Sequence, residues 1–169
     1  MDTFQINYLC KSDSFIKKYF LGCMACDQLP KRFPDNSLAI VNLDPIAKTG
    51  IHWIVCSSLN SKFSLYIDSF GRDISNSYIL SSLANRGKPI WYNNEPLQHK
   101  LTSVCSQYCI FFLYLLSRKF SLTEILKKFF SNIDNPLKND AFVRDFISVV
   151  FSMESTPPLL DINHIKKIL

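Results

Sequence analysis

The residues best suited to chemistry in this sequence are a histidine, an aspartate and a cysteine at positions 52, 68 and 105. Cys105 shortly precedes an unbroken apolar run from Cys109 to Leu116, which predicts a buried central helix with Cys105 in its first turn. The helix dipole favours a thiolate there, and the thiolate is the nucleophilic form of cysteine. A buried structural cysteine is the plainer interpretation, and only the partners of Cys105 argue against it.

His52 and Asp68 are expected on neighbouring strands of an antiparallel hairpin. Counting back from a turn centred near Asn60 pairs residue 52 with residue 68, and cross-strand neighbours lie about 5 Å apart. An imidazole oriented by a carboxylate is a general base that can deprotonate a cysteine. Taken singly, His52 could be a packed strand histidine and Asp68 a turn acid at a strand end. The three residues together predict a cysteine nucleophile assisted by a His–Asp pair.

Gln98 lies seven residues before Cys105, in the irregular approach to the central helix. Its side-chain amide could donate a hydrogen bond to an oxyanion, alongside the backbone N–H of Cys105. The alternative interpretation is a solvated loop glutamine.

The elements that must position these residues indicate an α+β fold, with a small antiparallel or mixed sheet packed on the central helix. Residues 87–97 contain Gly87, Pro89 and Pro96 and are expected to be irregular. Ser14 is the expected cap of the first helix. The predicted strands span residues 37–42, 51–56 and 62–68. The other predicted helices span residues 14–20, 75–86, 123–131, 138–153 and 162–168, and the buried face of the fourth is Phe142, Phe146, Val149 and Val150.

The composition is that of one folded domain covering residues 1–169, with 47% hydrophobic and 14% aromatic residues, so disorder is excluded. Lys and Arg number 19 against 14 acidic residues, and the net charge of +5 is spread along the chain. That charge permits contacts with the phosphates of non-specific DNA without demonstrating them. We expect a monomer that is not embedded in a membrane, because the longest apolar run is too short to span one.

The six cysteines are expected to be mostly reduced, because the first residues lack the pattern of a signal peptide and predict an intracellular protein. Cys23 and Cys26 form a lone CxxC motif. A zinc site would need a second pair at similar spacing, and Cys105 and Cys109 do not supply it, so burial is the preferred interpretation and no metal is predicted.

Several motifs together resemble the adenain family, the cysteine endopeptidases of adenoviruses, which includes relatives carried by Polinton/Maverick elements and adintoviruses. The resemblance covers roughly residues 19–116, while residues 117–169 agree only in length and helical character. The motifs are residues 50–53 (GIHW), 66–71 (YIDSFG), Gln98 with 105–109 (CSQYC), 19–22 (YFLG), 31–34 (KRFP) and 39–42 (AIVN).

The resemblance implies a maturation protease that cleaves viral capsid and core precursors after glycine, in the host nucleus or the virion, on a fold related to papain and to the ubiquitin-like-protein proteases. It makes His52 the base, Asp68 the orienting acid, Cys105 the nucleophile and Gln98 the oxyanion donor. It also implies that Asn42 and Trp53 contact the substrate.

The family pattern differs from this sequence at three positions. Ser106 stands where the family usually has glycine, and Asp68 where adenain has glutamate. The family's disulfide-held activating peptide attaches to a cysteine at the position of Gly87, so a covalently held peptide is not expected here. DNA or an unattached peptide stays a candidate activator, and the chemistry itself requires no cofactor.

Two alternatives from other functional classes stay open. A SUMO-processing protease shares the His-Trp, Asp-Ser and Gln–Cys pattern, although residues 19–22, residues 31–34 and the seven-residue Gln–Cys spacing favour the viral type. The other alternative is a DNA-binding virion protein that has lost catalysis.

Overall fold

The computed structural model describes residues 1–151, so the predicted helix at 162–168 lies outside the described residues. The fold is α+β, as predicted, with a five-stranded mixed sheet and helices packed on it. The helices are α1 (Thr3–Ser12), α2 (Ser14–Tyr19), α3 (Ser77–Ala84), α4 (Cys105–Ser117), α5 (Leu122–Phe130) and α6 (Pro136–Val150). The strands are β1 (Phe20–Ala25), β2 (Leu38–Asn42), β3 (Trp53–Ser57), β4 (Ser64–Ile67) and β5 (Ile90–Tyr92).

The sheet is antiparallel at its centre and parallel at both edges. Its strand order is β1-β2-β3-β4-β5, with β2/β3 and β3/β4 antiparallel and β1/β2 and β4/β5 parallel. The start of β3 therefore lies beside the carboxyl ends of β2 and β4, and the carboxyl end of β5 lies at the same end of the sheet. His52, Asp68 and Asn42 occur at that end.

Alternating side chains of the central strands enter two separate hydrophobic cores. Ile40 and Val55 pack with α4 in the larger core, whereas Val41 and Ile54 pack with α3 in the smaller one. All residues of β2 and β4 are buried. The central strands are covered on both faces, which is why each of them is apolar except for one polar residue at an end.

Helix α4 lies in the larger core, as the apolar run from Cys109 to Leu116 predicts. Every residue from Tyr108 to Ser117 is buried, and the helix begins at Cys105. Aromatic rings of α5 and α6 surround Phe111, whose contacts with Phe129 and Phe146 are edge-on. The packing of this helix thus fixes the position of Cys105 at its first turn.

Several elements differ from the predictions made from sequence. Helix α1 and strand β1 were not predicted, and β5 occupies part of a segment expected to be irregular. The side chain of Asp13, rather than that of Ser14, caps α2. On α6, Val149 is 54% exposed and Phe142 is half-buried, while Val143 is fully buried, so the buried face is rotated from the predicted one. Within residues 1–151, no helix is both long and apolar enough to cross a membrane.

Candidate active site

Cys105 is half-buried at the first position of α4. Burial alone would raise the pKa of this thiol. The adjoining His52 side chain, the backbone N–H groups of Trp53 and Ser106 and the imidazolium charge together outweigh burial and lower the pKa. These groups favour a thiolate at Cys105.

The His52 ring is buried between Cys105, Asp68 and an aromatic side chain. Its Nε2 lies 2.6 Å from Oδ1 of Asp68, and the ring centroid lies 4.8 Å from that of Phe70. Burial favours the neutral ring, but Asp68 and the Cys105 thiolate raise the pKa of His52 to about 9. With Nε2 bound to Asp68, Nδ1 is left to face the thiol. The two shifts together favour the thiolate–imidazolium pair over the neutral pair.

The predicted contact between His52 and Asp68 is present, but the strand register used to predict it is wrong. The ladder pairs Val55 with Ile67, so its continuation would set His52 opposite Phe70 rather than Asp68. The Phe70 ring indeed packs on His52. Asp68 reaches the imidazole from the position just after β4, because the carboxylate turns toward it outside the regular ladder.

Asp68 is completely buried, and one of its oxygens makes both of the side-chain hydrogen bonds that it forms within residues 1–151. Oδ1 accepts from His52 and from the backbone N–H of Phe70, the latter at 2.8 Å. Oδ2 has no hydrogen-bond partner among residues 1–151. The Phe70 bond closes a tight turn after β4, so the acid is both a turn residue and the partner of the histidine.

Asn93, which sequence reasoning missed, holds the backbone of Asp68 from the neighbouring strand end. Its Oδ1 accepts from the Asp68 N–H at 3.0 Å, and its Nδ2 donates to the Asp68 carbonyl at 2.7 Å. Nδ2 also donates to the carbonyl of Glu95. The buried amide thus extends the β4/β5 pairing by one residue. The only signal was an asparagine in a segment expected to be irregular.

Gly71 is required where the turn after Asp68 meets the segment before Gln98. Its φ is +66°, and a Cβ there would lie 2.5 Å from the carbonyl carbon of Glu95. The N–H groups of Leu97 and Gln98 both donate to the Ser69 carbonyl. The loop carrying Asp68 and the loop carrying Gln98 are therefore in direct backbone contact.

Gln98 is 1% exposed, so the alternative of a solvated loop glutamine is wrong. Its Oε1 accepts from the Ser69 hydroxyl at 2.7 Å. Its Nε2 donates to the carbonyl of Thr102 at 2.7 Å and lies 3.2 Å from the Thr102 hydroxyl. The amide is thus held firmly in the approach to α4, with its N–H groups toward Thr102.

The two candidate substrate-binding residues form one cross-strand pair at the end of the sheet where His52 lies. Asn42 is 6% exposed, accepts from the Asp44 N–H and packs against Gly50. Trp53 is half-buried and packs against the larger core. Its backbone N–H helps to lower the pKa of Cys105.

The other cysteines are buried free thiols, and Cys105 differs from them electrostatically. Burial raises the pKa of Cys10, Cys23, Cys56 and Cys109. In the CxxC motif, the thiol of Cys26 donates to the carbonyl of Leu43. Among residues 1–151, no three His, Cys, Asp or Glu side chains are grouped so as to hold a metal ion.

A scan against models of known protein families and a search of curated proteins gave no match to this chain. A cysteine of lowered pKa at a helix start, beside an imidazole whose far nitrogen bonds a buried carboxylate, can attack an electrophilic carbon and then transfer a proton.

Proposed function

We propose that the chain is a cysteine endopeptidase. The observation that carries the proposal is the His52 ring, which bonds Asp68 at 2.6 Å through Nε2 and adjoins Cys105, so that the two side chains shift each other's pKa toward an ion pair. A histidine that only packs in the core would not be expected next to a cysteine whose pKa is lowered. The three side chains come from three separate elements and meet at one end of the sheet.

The reaction follows from the charges of the pair. The Cys105 thiolate attacks the carbonyl carbon of a peptide bond, and the backbone N–H of Cys105 and the Gln98 amide stabilise the oxyanion. The proton on His52 Nδ1 then passes to the leaving amine as the C–N bond breaks. Water, deprotonated by the neutral imidazole, hydrolyses the thioester and regenerates the thiolate. Asp68 keeps the ring oriented throughout.

For the substrate, the resemblance to the adenain family favours viral structural precursors cleaved after glycine, with the protease acting in the nucleus or the virion. Asn42 and Trp53, the cross-strand pair beside His52 on β2 and β3, are proposed as contacts for an extended peptide. DNA is proposed as an accessory partner through phosphate contacts, with the net charge of +5 as its support.

The proposal is tested by alkylation and cleavage together. Iodoacetamide at pH 7 is expected to modify Cys105 first, because the other five thiols are buried. Cys105→Ser should lose this labelling and all cleavage of Gly-x peptides. Cys26→Ser is the matched control, because the serine hydroxyl can replace the Cys26 thiol as the donor to the Leu43 carbonyl. This variant should retain both the labelling and the cleavage.

Three outcomes would change the assignment. Cleavage of a SUMO precursor without cleavage of Gly-x peptides would assign the SUMO-processing class. Activity above a few per cent in Cys105→Ser would mean that another residue is the nucleophile. Absence of both selective labelling and cleavage in the wild type would favour a non-catalytic virion protein.

A further inference from the structure

The orientation of the Gln98 amide is fixed by an acceptor that cannot donate. The backbone carbonyl of Thr102 can only accept a hydrogen bond, so the Gln98 group 2.7 Å from it must be the NH₂. The Ser69 hydroxyl donates to the opposite end of the amide. One amide proton thus binds the Thr102 carbonyl, and the direction of the second depends on which acceptor lies next to it.

The second proton faces the Thr102 hydroxyl at the longer distance of 3.2 Å. That hydroxyl lies 2.7 Å from Oδ2 of Asp140 and 2.9 Å from the His99 carbonyl, and it has a single proton to donate. The carboxylate is the stronger acceptor. The hydroxyl proton therefore points toward Asp140, and the oxygen presents its lone pairs to Gln98.

Asp140 belongs to α6, far along the chain from Gln98, yet it is 2% exposed and surrounded by donors. Its Oδ1 accepts from the Tyr108 hydroxyl at 2.9 Å, and the His99 N–H lies 3.3 Å from Oδ2. Burial and the Asp140 charge raise the pKa of Tyr108. A single carboxylate thus connects α6, α4 and the loop that carries Gln98.

We propose that Asp140 is a positioning residue for Gln98 and acts through the Thr102 hydroxyl. The inference rests on the proposed function, in which Gln98 donates to the oxyanion. Asp140 holds the Thr102 hydroxyl as an acceptor, so the second proton of the amide is held by one weak bond. An oxyanion can take that proton without reorganising the loop.

The test compares Thr102→Val with Thr102→Ser. Valine keeps the shape and the backbone carbonyl but lacks the hydroxyl, whereas serine retains it. We expect Thr102→Val to lower kcat by about 10-fold to 10²-fold with little change in KM, less than the loss from removing an oxyanion donor. Thr102→Ser should stay within about threefold of wild type, and Asp140→Asn should follow Thr102→Val.

Alkylation separates positioning from a general loss of structure. Reaction of Cys105 with iodoacetamide forms no oxyanion, so its rate should be the same in Thr102→Val as in wild type. Val143→Ala, a core truncation on the same helix, is the control for stability and should leave kcat unchanged. Equal kcat in Thr102→Val and wild type, or parallel losses of alkylation and kcat, would overturn the proposal.

Side-chain amide exchange makes the result independent of the proposed function. NMR should show the Gln98 NH₂ protons exchanging at least 10-fold faster in Thr102→Val and Asp140→Asn than in Val143→Ala. Unchanged exchange would refute the connection between Asp140 and Gln98. If the wild type cleaves no peptide but the Gln98 NH₂ protons still exchange faster in Thr102→Val and Asp140→Asn, the protease proposal is refuted. The positioning of Gln98 by Asp140 would then still stand.

Discussion

The change from Asp68 to asparagine removes the charge next to His52 while keeping the shape of the side chain. Because His52 and the Phe70 N–H both donate to Oδ1, an asparagine can keep both bonds by placing its oxygen at that position. Its NH₂ then occupies the position of Oδ2, which has no partner among the described residues. The Nε2–H tautomer of His52 therefore survives, unlike in serine triads, where the amide favours the wrong tautomer.

The magnitude follows from the lost charge. A charge-assisted hydrogen bond contributes about 1.5–3 kcal/mol against about 1 kcal/mol for a neutral one. Loss of about 1–2 kcal/mol of imidazolium stabilisation lowers the population of the ion pair by about 5- to 30-fold. Looser orientation of the ring adds to this, so we expect kcat/KM to fall by about 10- to 10³-fold. The buried NH₂ should also destabilise the fold by about 1–3 kcal/mol.

The assay is the pH dependence of alkylation and of kcat/KM in both proteins. In wild type, the basic limb of kcat/KM should reflect the pKa of His52 near 9, and the acidic limb the lowered pKa of Cys105. In Asp68→Asn, the basic limb should move down toward 6.5 and the pKa of Cys105 should rise. Identical alkylation and turnover in the two proteins would show that Asp68 is only a turn residue.

The same pKa shift makes a stability prediction with a definite sign. The folded-state pKa of His52 lies above its ordinary value of 6.5, so its protonation stabilises the native state. This contribution is complete below pH 6.5 and is lost as the pH rises through about 9. In Asp68→Asn this contribution should be smaller and should be lost at a lower pH. Urea denaturation between pH 6 and 10 would measure the difference in the free energy of unfolding. A difference in stability between the two proteins that stays constant over this range would contradict the linkage.

Two further substitutions test the loops around the site. Gln98→Ala should lower kcat by about 10²–10³-fold with little change in KM, measured by steady-state peptide cleavage, and an effect confined to KM would instead place Gln98 in substrate binding. Gly71→Ala should lower the free energy of unfolding by about 1–3 kcal/mol more than Gly87→Ala does, as measured by urea denaturation. Both glycines have positive φ, but only at Gly71 would a Cβ meet the backbone of Glu95. Equal losses in the two alanine variants would mean that the backbone at Glu95 yields.

The central helix and the middle strands could be predicted because one side-chain pattern decides each of them. The apolar run that ends at Leu116 has no polar face, and a helix without one must be buried. The strand around Val55 is apolar from Trp53 to Cys56 because both faces of the sheet are covered. These patterns depend on local residues alone, so the sequence was sufficient.

The missed elements depend on contacts that local patterns do not contain. Strand β5 has only three residues, two of them exposed, and it forms because its backbone pairs with β4. Helix α1 is an exception, since Asp2 and Gln5 form a capping box that was readable from sequence. Asp140 and Asn93 could not be recognised, because a lone polar residue acquires a partner only when distant segments meet.

The topology explains why the histidine and its acid meet even though the predicted register was wrong. His52 immediately precedes β3, and Asp68 and Asn93 immediately follow β4 and β5. Strand β3 is antiparallel to β4, and β5 is parallel to β4. All three residues must therefore lie at the same end of the sheet. Outside the ladder, side chains no longer alternate strictly between faces, so a register error of two residues does not separate them. A site built from the first residue beyond each strand therefore depends on strand direction more than on register.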